Sequence, residues 1–111
     1  KGAIETLSSA VSLGDRRPVT LVALGGAQIA SEANAAAERT FAQLFEQRGA
    51  ALDAYQLACA QGRQGKVDAA IASLDKAVAL GFHDQGLADG DPDLNGVRVD
   101  PRYARLFAHN Q

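Results

Sequence analysis

Asp91, Asp93, Asn95 and Gly96 stand in the stretch DGDPDLNGVRVDPR as D-x-D-x-N-G, the order in which a calcium-binding loop begins. Alternating side-chain oxygens followed by a glycine turn suit a hard cation. The remainder of such a loop is missing. Counted from Asp91, the eighth position should be aliphatic and is Arg98, and the twelfth should be a bidentate glutamate and is Arg102. A guanidinium in place of that carboxylate removes two ligand oxygens and adds repulsion. Counting from Asp89 instead puts Leu94 where the glycine must be. The same residues read well as helix starts. In Asp91-Pro92 and Asp100-Pro101 the carboxylate can accept from free amides while proline takes the first helical position, where its missing N–H costs nothing. The stretch is therefore expected to be an acidic capping segment, with no metal bound.

The other reactive side chains form no recognisable constellation. His83 and His109 have no cysteine near them, and they read as a corner residue and a tail residue rather than as ligands. Cys59, the one cysteine, admits two readings: a small buried hydrophobe, or a thiol activated by Arg63 one helical turn on. The two glycines of LGGAQIA lie inside a helical period and follow no strand, so close packing is expected there and not a phosphate cradle. No G-x-S-x-G, H-E-x-x-H, C-x-x-C or G-x-x-x-x-G-K is present, and neither a catalytic residue nor a cofactor is predicted.

The elements that would position these residues follow from composition and period. The 111 residues suffice for one domain with a core, and 47% apolar against 22% charged residues is a globular balance. A net charge of −2 with scattered basic residues, apart from Arg16-Arg17 in an apparent turn, gives no basic face for nucleic acid. No apolar run approaches a membrane span, and residues 1–13 lack the pattern of a signal peptide. A start at Lys1 with no Met anywhere is expected of a piece of a longer protein. Few aromatic and β-branched runs leave helix as the expected element.

Internal repetition organises the chain. Ala3-x3-Leu7-x2-Ala10 recurs as Ala37-x3-Phe41-x2-Leu44 and again as Ala70-x3-Leu74-x2-Ala77, at steps of 34 and 33 residues. Leu21-x2-Leu24-Gly25 precedes the second copy as Ala54-x2-Leu57-Ala58 precedes the third. Apolar positions three and four apart share a helix face, so each unit reads as two helices, and Gly25 or Ala58 lets the partner helix approach closely. The pattern predicts helices over 2–13, 19–31, 33–48, 50–63 and 67–80, with Pro18 opening the second and Gly14, Gly49 and Gly81 following the ends of three others.

Leu21, Leu24, Gly25, Ala37 and Phe41, then Ala54, Leu57, Ala58, Gly65, Ala70, Leu74 and Ala77, resemble the tetratricopeptide repeat pattern W-x2-L-G-x2-Y followed by A-x3-F. Its tryptophan and tyrosine positions are here Leu21 or Ala54 and Gln28 or Gln61, so the copies are degenerate. Gly81-Phe82, Asp91-Pro92-Asp93-Leu94 and Asp100-Pro101-Arg102-Tyr103 resemble the cap that closes many bacterial arrays of this family. The resemblance implies an all-α fold, an α-solenoid of antiparallel helix pairs in a right-handed superhelix. It divides the single domain into a truncated repeat at 1–17, repeats at 18–49 and 50–82, and a cap at 83–111, in which Leu94, Val97, Tyr103, Leu106 and Phe107 cover the last repeat.

The family's usual work is non-catalytic: protein–protein interaction or scaffolding through the concave face of each first helix. Carried over by position, that face comprises Val19, Val22, Ala23, Gly26 and Ile29 in one repeat and Tyr55, Gln56, Cys59 and Arg63 in the next. A mostly apolar groove with one tyrosine and one arginine suits an apolar or amphipathic peptide or helix of a partner protein. The competing expectation is that these side chains pack on an upstream helix or on a second copy of the chain, as a homo-oligomer. The alternative functional reading is a regulatory C-terminal domain of a bacterial enzyme or transcription regulator.

Overall fold

A computed structural model describes residues 2–15 and 17–108; Arg16 and His109 lie outside the described residues. Five long helices come first: α1 (Gly2–Ser12), α2 (Pro18–Ala30), α3 (Asn34–Arg48), α4 (Ala51–Arg63) and α5 (Val67–Ala79). Shorter pieces follow: α6 (Gln85–Gly90), a 3-10 turn (Pro92–Leu94), α7 (Asn95–Arg98) and α8 (Pro101–Leu106). The described residues contain no strand, and the protein is all-α. No helix among them is long and apolar enough to cross a membrane. From α1 to α5 each helix packs on its neighbour in sequence, and the 3-10 turn, α7 and α8 pack on α4 or α5. The molecule measures 43 × 24 × 20 Å.

The expected helix boundaries fall within about one residue of those observed, which is the ordinary scatter of helix ends. Periodicity and punctuation agree here: Pro18 is the first residue of α2, and α1, α3 and α5 run out into Gly14, Gly49 and Gly81, all with positive φ. The turns from α2 to α3 and from α4 to α5 also match. Glu32 at φ 61° holds the left-handed conformation that Gly65 holds at φ 76°, 33 positions on. A glycine takes that conformation freely, whereas a glutamate is strained in it by roughly 1 kcal/mol.

The 33-residue step is carried by buried polar bonds as well as by apolar residues. The Thr40 hydroxyl donates to Gln28 Oε1 at 2.7 Å, and 33 residues later the Ser73 hydroxyl donates to Gln61 Oε1 at 2.6 Å. All four residues are buried. Each bond ties the first helix of a unit to its second and satisfies polar atoms that burial would otherwise penalise. Across the preceding turns, Thr20 donates to Asp15 at 2.9 Å and Arg48 to Asp53 at 2.7 Å, again 33 positions apart.

α4 lies between two apolar clusters and is the most deeply buried helix. Leu57 and Ala60 join Leu21, Ala37, Phe41 and Leu44. Its Ala54, Tyr55, Ala58 and Cys59 join Ala70, Leu74 and Ala77 of α5 and the closing residues Ala88, Leu94, Val97, Tyr103, Leu106 and Phe107. A helix apolar on both sides must be covered on both sides. The closing segment keeps the register: Tyr103 of α8 and Phe107 just after it fall where Ala70 and Leu74 fall in α5, and where Ala37 and Phe41 fall in α3. Asp84, Asp91 and Asp100 start its three turns by accepting from the amides of Leu87, Asp93 and Arg102.

Candidate groove between α2 and α4

The nine residues expected to face a partner separate into two groups. The first surrounds a notch. α2 contains no charged residue from Pro18 to Ala30, and its Val19, Val22, Ala23, Gly26 and Ala30 are exposed. Val22, Gly26 and the half-buried Ile29 form one wall of a cavity of about 200 Å³. Phe41 lies behind it, and Leu52, Asp53 and Gln56 of α4 form the opposite wall with Arg48. Val22 is 43% and Leu52 54% exposed, high values for aliphatic side chains beside a cavity. Val19 and Ala23 extend the exposed face of α2 outside the lining.

The second group is engaged within the chain. Tyr55 and Cys59 are each only 2% exposed. The Tyr55 ring stacks on Phe82 at 4.6 Å between centroids, and its hydroxyl donates to Asp91 Oδ2 at 2.6 Å. The Cys59 thiol donates to the same oxygen at 3.5 Å. Arg63 bridges Asp93 at 2.5 Å and Asn34 Oδ1 at 2.8 Å, which ties the closing segment to the start of α3. A third polar hub holds α3 to α4: Glu38 accepts from Gln61, Gln64 and Lys66. Partial burial works to push the Glu38 carboxyl up, but those hydrogen bonds outweigh it and hold it below its ordinary value.

The environment of Cys59 decides between its two sequence readings. Burial, then the negative charges of Asp91 and Asp93, push the thiol well above its ordinary value, and Arg63 is spent on Asp93. Burial and the bond to Asp91 likewise keep the Tyr55 hydroxyl protonated. An activated thiol needs the opposite surroundings. Cys59 should therefore label with a thiol reagent at pH 8 at least about 100-fold more slowly in the native protein than in urea, since access requires local opening. A native rate close to the denatured one would show that Asp91 does not seal it.

Cys59, Asp91 and Asp93 also form the one trio among the described residues whose ligand atoms lie within 4.8 Å of one another, close enough for a metal. Its atoms are already engaged: the thiol is a donor, Asp91 accepts from Tyr55 and from the Asp93 amide, and Asp93 is paired with a guanidinium. The D-x-D-x-N-G stretch is a 3-10 turn leading into α7 rather than an open loop. Arg98, at the loop's eighth position, donates to the carbonyls of Ala88 and Asp91 and to the Asn95 side chain. That guanidinium engages the Asn95 side-chain oxygen, the third oxygen such a loop would offer. His83 is exposed in the turn before α6.

The sequence pattern missed Leu52 and the Arg48–Asp53 pair, although Leu52 lies one turn before Gln56 on α4. It also missed that Asp91 and Asp93 would seat on Tyr55, Cys59 and Arg63, a contact spanning 30 to 36 residues that no local period reveals. No family model, curated protein or solved structure matches this chain.

Proposed function

We propose that this chain is a non-catalytic interaction module of the tetratricopeptide kind, which holds a peptide or helical segment of a partner protein in the groove between α2 and α4. In this reading α2–α3 and α4–α5 are successive antiparallel pairs of a right-handed superhelix, α1 is the second helix of a further unit, and residues 83–111 are the closing cap. The observation that carries it is the uncharged, exposed face of α2 opening onto an apolar notch with a few polar groups at its rim. Concave, mostly apolar sites with sparse polar groups are where short segments bind. The α4 half of the face is already occupied by the chain's own cap, so the partner's contacts fall on Val22, Gly26, Ile29, Leu52 and Gln56.

Peptides selected from a displayed random library against the wild-type protein test this reading. Their affinity, measured by calorimetry, should fall about tenfold or more in a Val22→Asp, Leu52→Asp double variant. Both side chains are exposed, so the melting temperature should change little. Selected peptides that bind the double variant as tightly as the wild type would remove the groove from consideration.

A further inference from the structure

The two copies of the first helix differ in one instructive way. The counterpart of Val22 is Tyr55, and that of Gly26 is Cys59. In the later copy the tyrosine ring fills the space against the closing segment, stacked on Phe82 with its hydroxyl on Asp91. In the earlier copy valine and glycine lack those atoms, and the cavity of about 200 Å³ remains beside them. A Cβ added at Gly26 would meet nothing within 4 Å. The atoms that the earlier copy lacks include the whole ring that Tyr55 supplies.

The charge at the notch has a definite sign. α2 contributes none. Both carboxylate oxygens of Asp53 are taken by Arg48, through Nε at 2.7 Å and Nη2 at 2.9 Å. The Asp53 side chain is 3% exposed and that of Arg48 is 42% exposed, so the charge presented to an incoming group is the guanidinium. Arg48 Nη1 has no hydrogen-bond partner among the described residues, and neither does the Gln56 amide at the rim. An anion beside the ring complements this edge.

We infer that the notch is an anchor pocket for one aromatic side chain, presented by a partner peptide that carries a carboxylate next to it. The inference rests on the groove reading above and specifies its ligand. The ring takes the place that Tyr55 holds in the following copy, and the carboxylate takes the free edge of Arg48.

Four small probes separate the parts of this inference when titrated into ¹⁵N-labelled full chain and followed by amide chemical shifts. N-acetylphenylalanine carries ring and carboxylate, its amide carries the ring alone, N-acetylleucine an aliphatic group and carboxylate, and N-acetylglycine the carboxylate alone. N-acetylphenylalanine should shift Val22, Gly26, Ile29 and Gln56 with a dissociation constant on the order of 1 mM. The leucine compound should bind about threefold more weakly, the phenylalanine amide about twofold more weakly, and the glycine compound should leave these residues unmoved. Val22→Tyr and Gly26→Leu should each fold, with dispersed spectra, and lose the response because their own side chains enter the notch. Leucine binding as tightly as phenylalanine overturns the aromatic anchor, and equal binding of acid and amide overturns the carboxylate. If library peptides depend on Val22 and Leu52 while N-acetylphenylalanine shifts nothing up to about 20 mM, the anchor fails and the groove stands. Peptides indifferent to both residues mean that the groove itself fails.

Discussion

Asp91→Ala is expected to lower the unfolding free energy by about 2–4 kcal/mol, a fall in melting temperature on the order of 10–20 °C for a chain of this size. One carboxylate serves three groups. Its Oδ1 accepts from the Asp93 amide at 3.0 Å and so starts the 3-10 turn, and its Oδ2 accepts from Tyr55 at 2.6 Å and from Cys59 at 3.5 Å. Truncation removes the cap, worth about 1 kcal/mol. It also leaves the hydroxyl of a 2%-exposed tyrosine without an acceptor, which costs about 1–3 kcal/mol. Relief of the repulsion between Asp91 and Asp93 offsets part of this and keeps the sum from reaching the top of the range. Tyr55→Phe should cost only about 0.5–1.5 kcal/mol, because the ring still stacks on Phe82 and Asp91 keeps its other donors. In the Asp91→Ala background the same change should be neutral or stabilising, since it then removes an orphaned hydroxyl. Urea denaturation of the four proteins measures the coupling. Additive losses would mean that the Tyr55–Asp91 bond does not hold the closing segment on α4.

That bond also explains why the two halves of the expected binding face behave differently. Carried over from the family resemblance, Tyr55 and Arg63 look like the two most attractive partner-binding residues of that face: an aromatic and an arginine on a first helix. In the folded protein both are engaged by Asp91 and Asp93. The residues left exposed are the plain ones, Val22, Gly26 and Leu52. A helix apolar on both sides must be covered on both sides, and here the segment that covers α4 recruits its polar side chains. What remains exposed beside the notch is apolar surface and the outer edge of the Arg48–Asp53 pair.

The five long helices were legible because each has an apolar period near 3.6, and in four of them a glycine or proline marks an end as well. The helix-opening role of Asp91 and Asp100 was legible because each precedes a proline. Helix α6 was not, since its six residues, QGLADG, include two glycines and are too few to show a period, and its capping Asp84 precedes no proline. The buried pairs Gln28–Thr40 and Gln61–Ser73 stand at the positions where the repeat pattern asks for a tyrosine and for no particular hydroxyl. These two hydrogen bonds keep the 33-residue step in space at positions where the apolar pattern shows nothing. The notch was partly legible: Val22, Gly26, Ile29 and Gln56 were named by the family resemblance, but Leu52, Arg48 and Asp53 depend on a turn that brings Arg48 back onto Asp53.

Three glycines give the second large effect, and they are expected to respond to alanine with different signs. In a helix interior, glycine to alanine gains about 0.5–1 kcal/mol where the methyl group has room. Gly26 has that room, so Gly26→Ala should raise stability by about this amount. A methyl at Gly25 would lie 2.6 Å from the ζ carbon of Phe41, a 4%-exposed ring that can tilt only by disturbing its neighbours. Gly25→Ala should therefore cost about 1–2 kcal/mol net. A methyl at Gly62 would lie 2.5 Å from the carbonyl oxygen of Asp93. Here the obstacle is backbone, fixed on one side by the Asp91 cap and on the other by the Arg63–Asp93 bridge, and no side-chain rotation can relieve it. Gly62→Ala should cost about 3 kcal/mol and should speed labelling of Cys59, because the turn that covers the thiol must lift. Urea midpoints should then rank Gly26→Ala above wild type, wild type above Gly25→Ala, and Gly62→Ala lowest. The order of the last two carries the physical content. A ring moved by one ångström still covers α2, whereas a turn moved by the same distance gives up the hydrogen bonds to Tyr55 and Arg63 together. If Gly62→Ala proved as stable as Gly26→Ala, the closing segment could not be seated on α4 by its backbone.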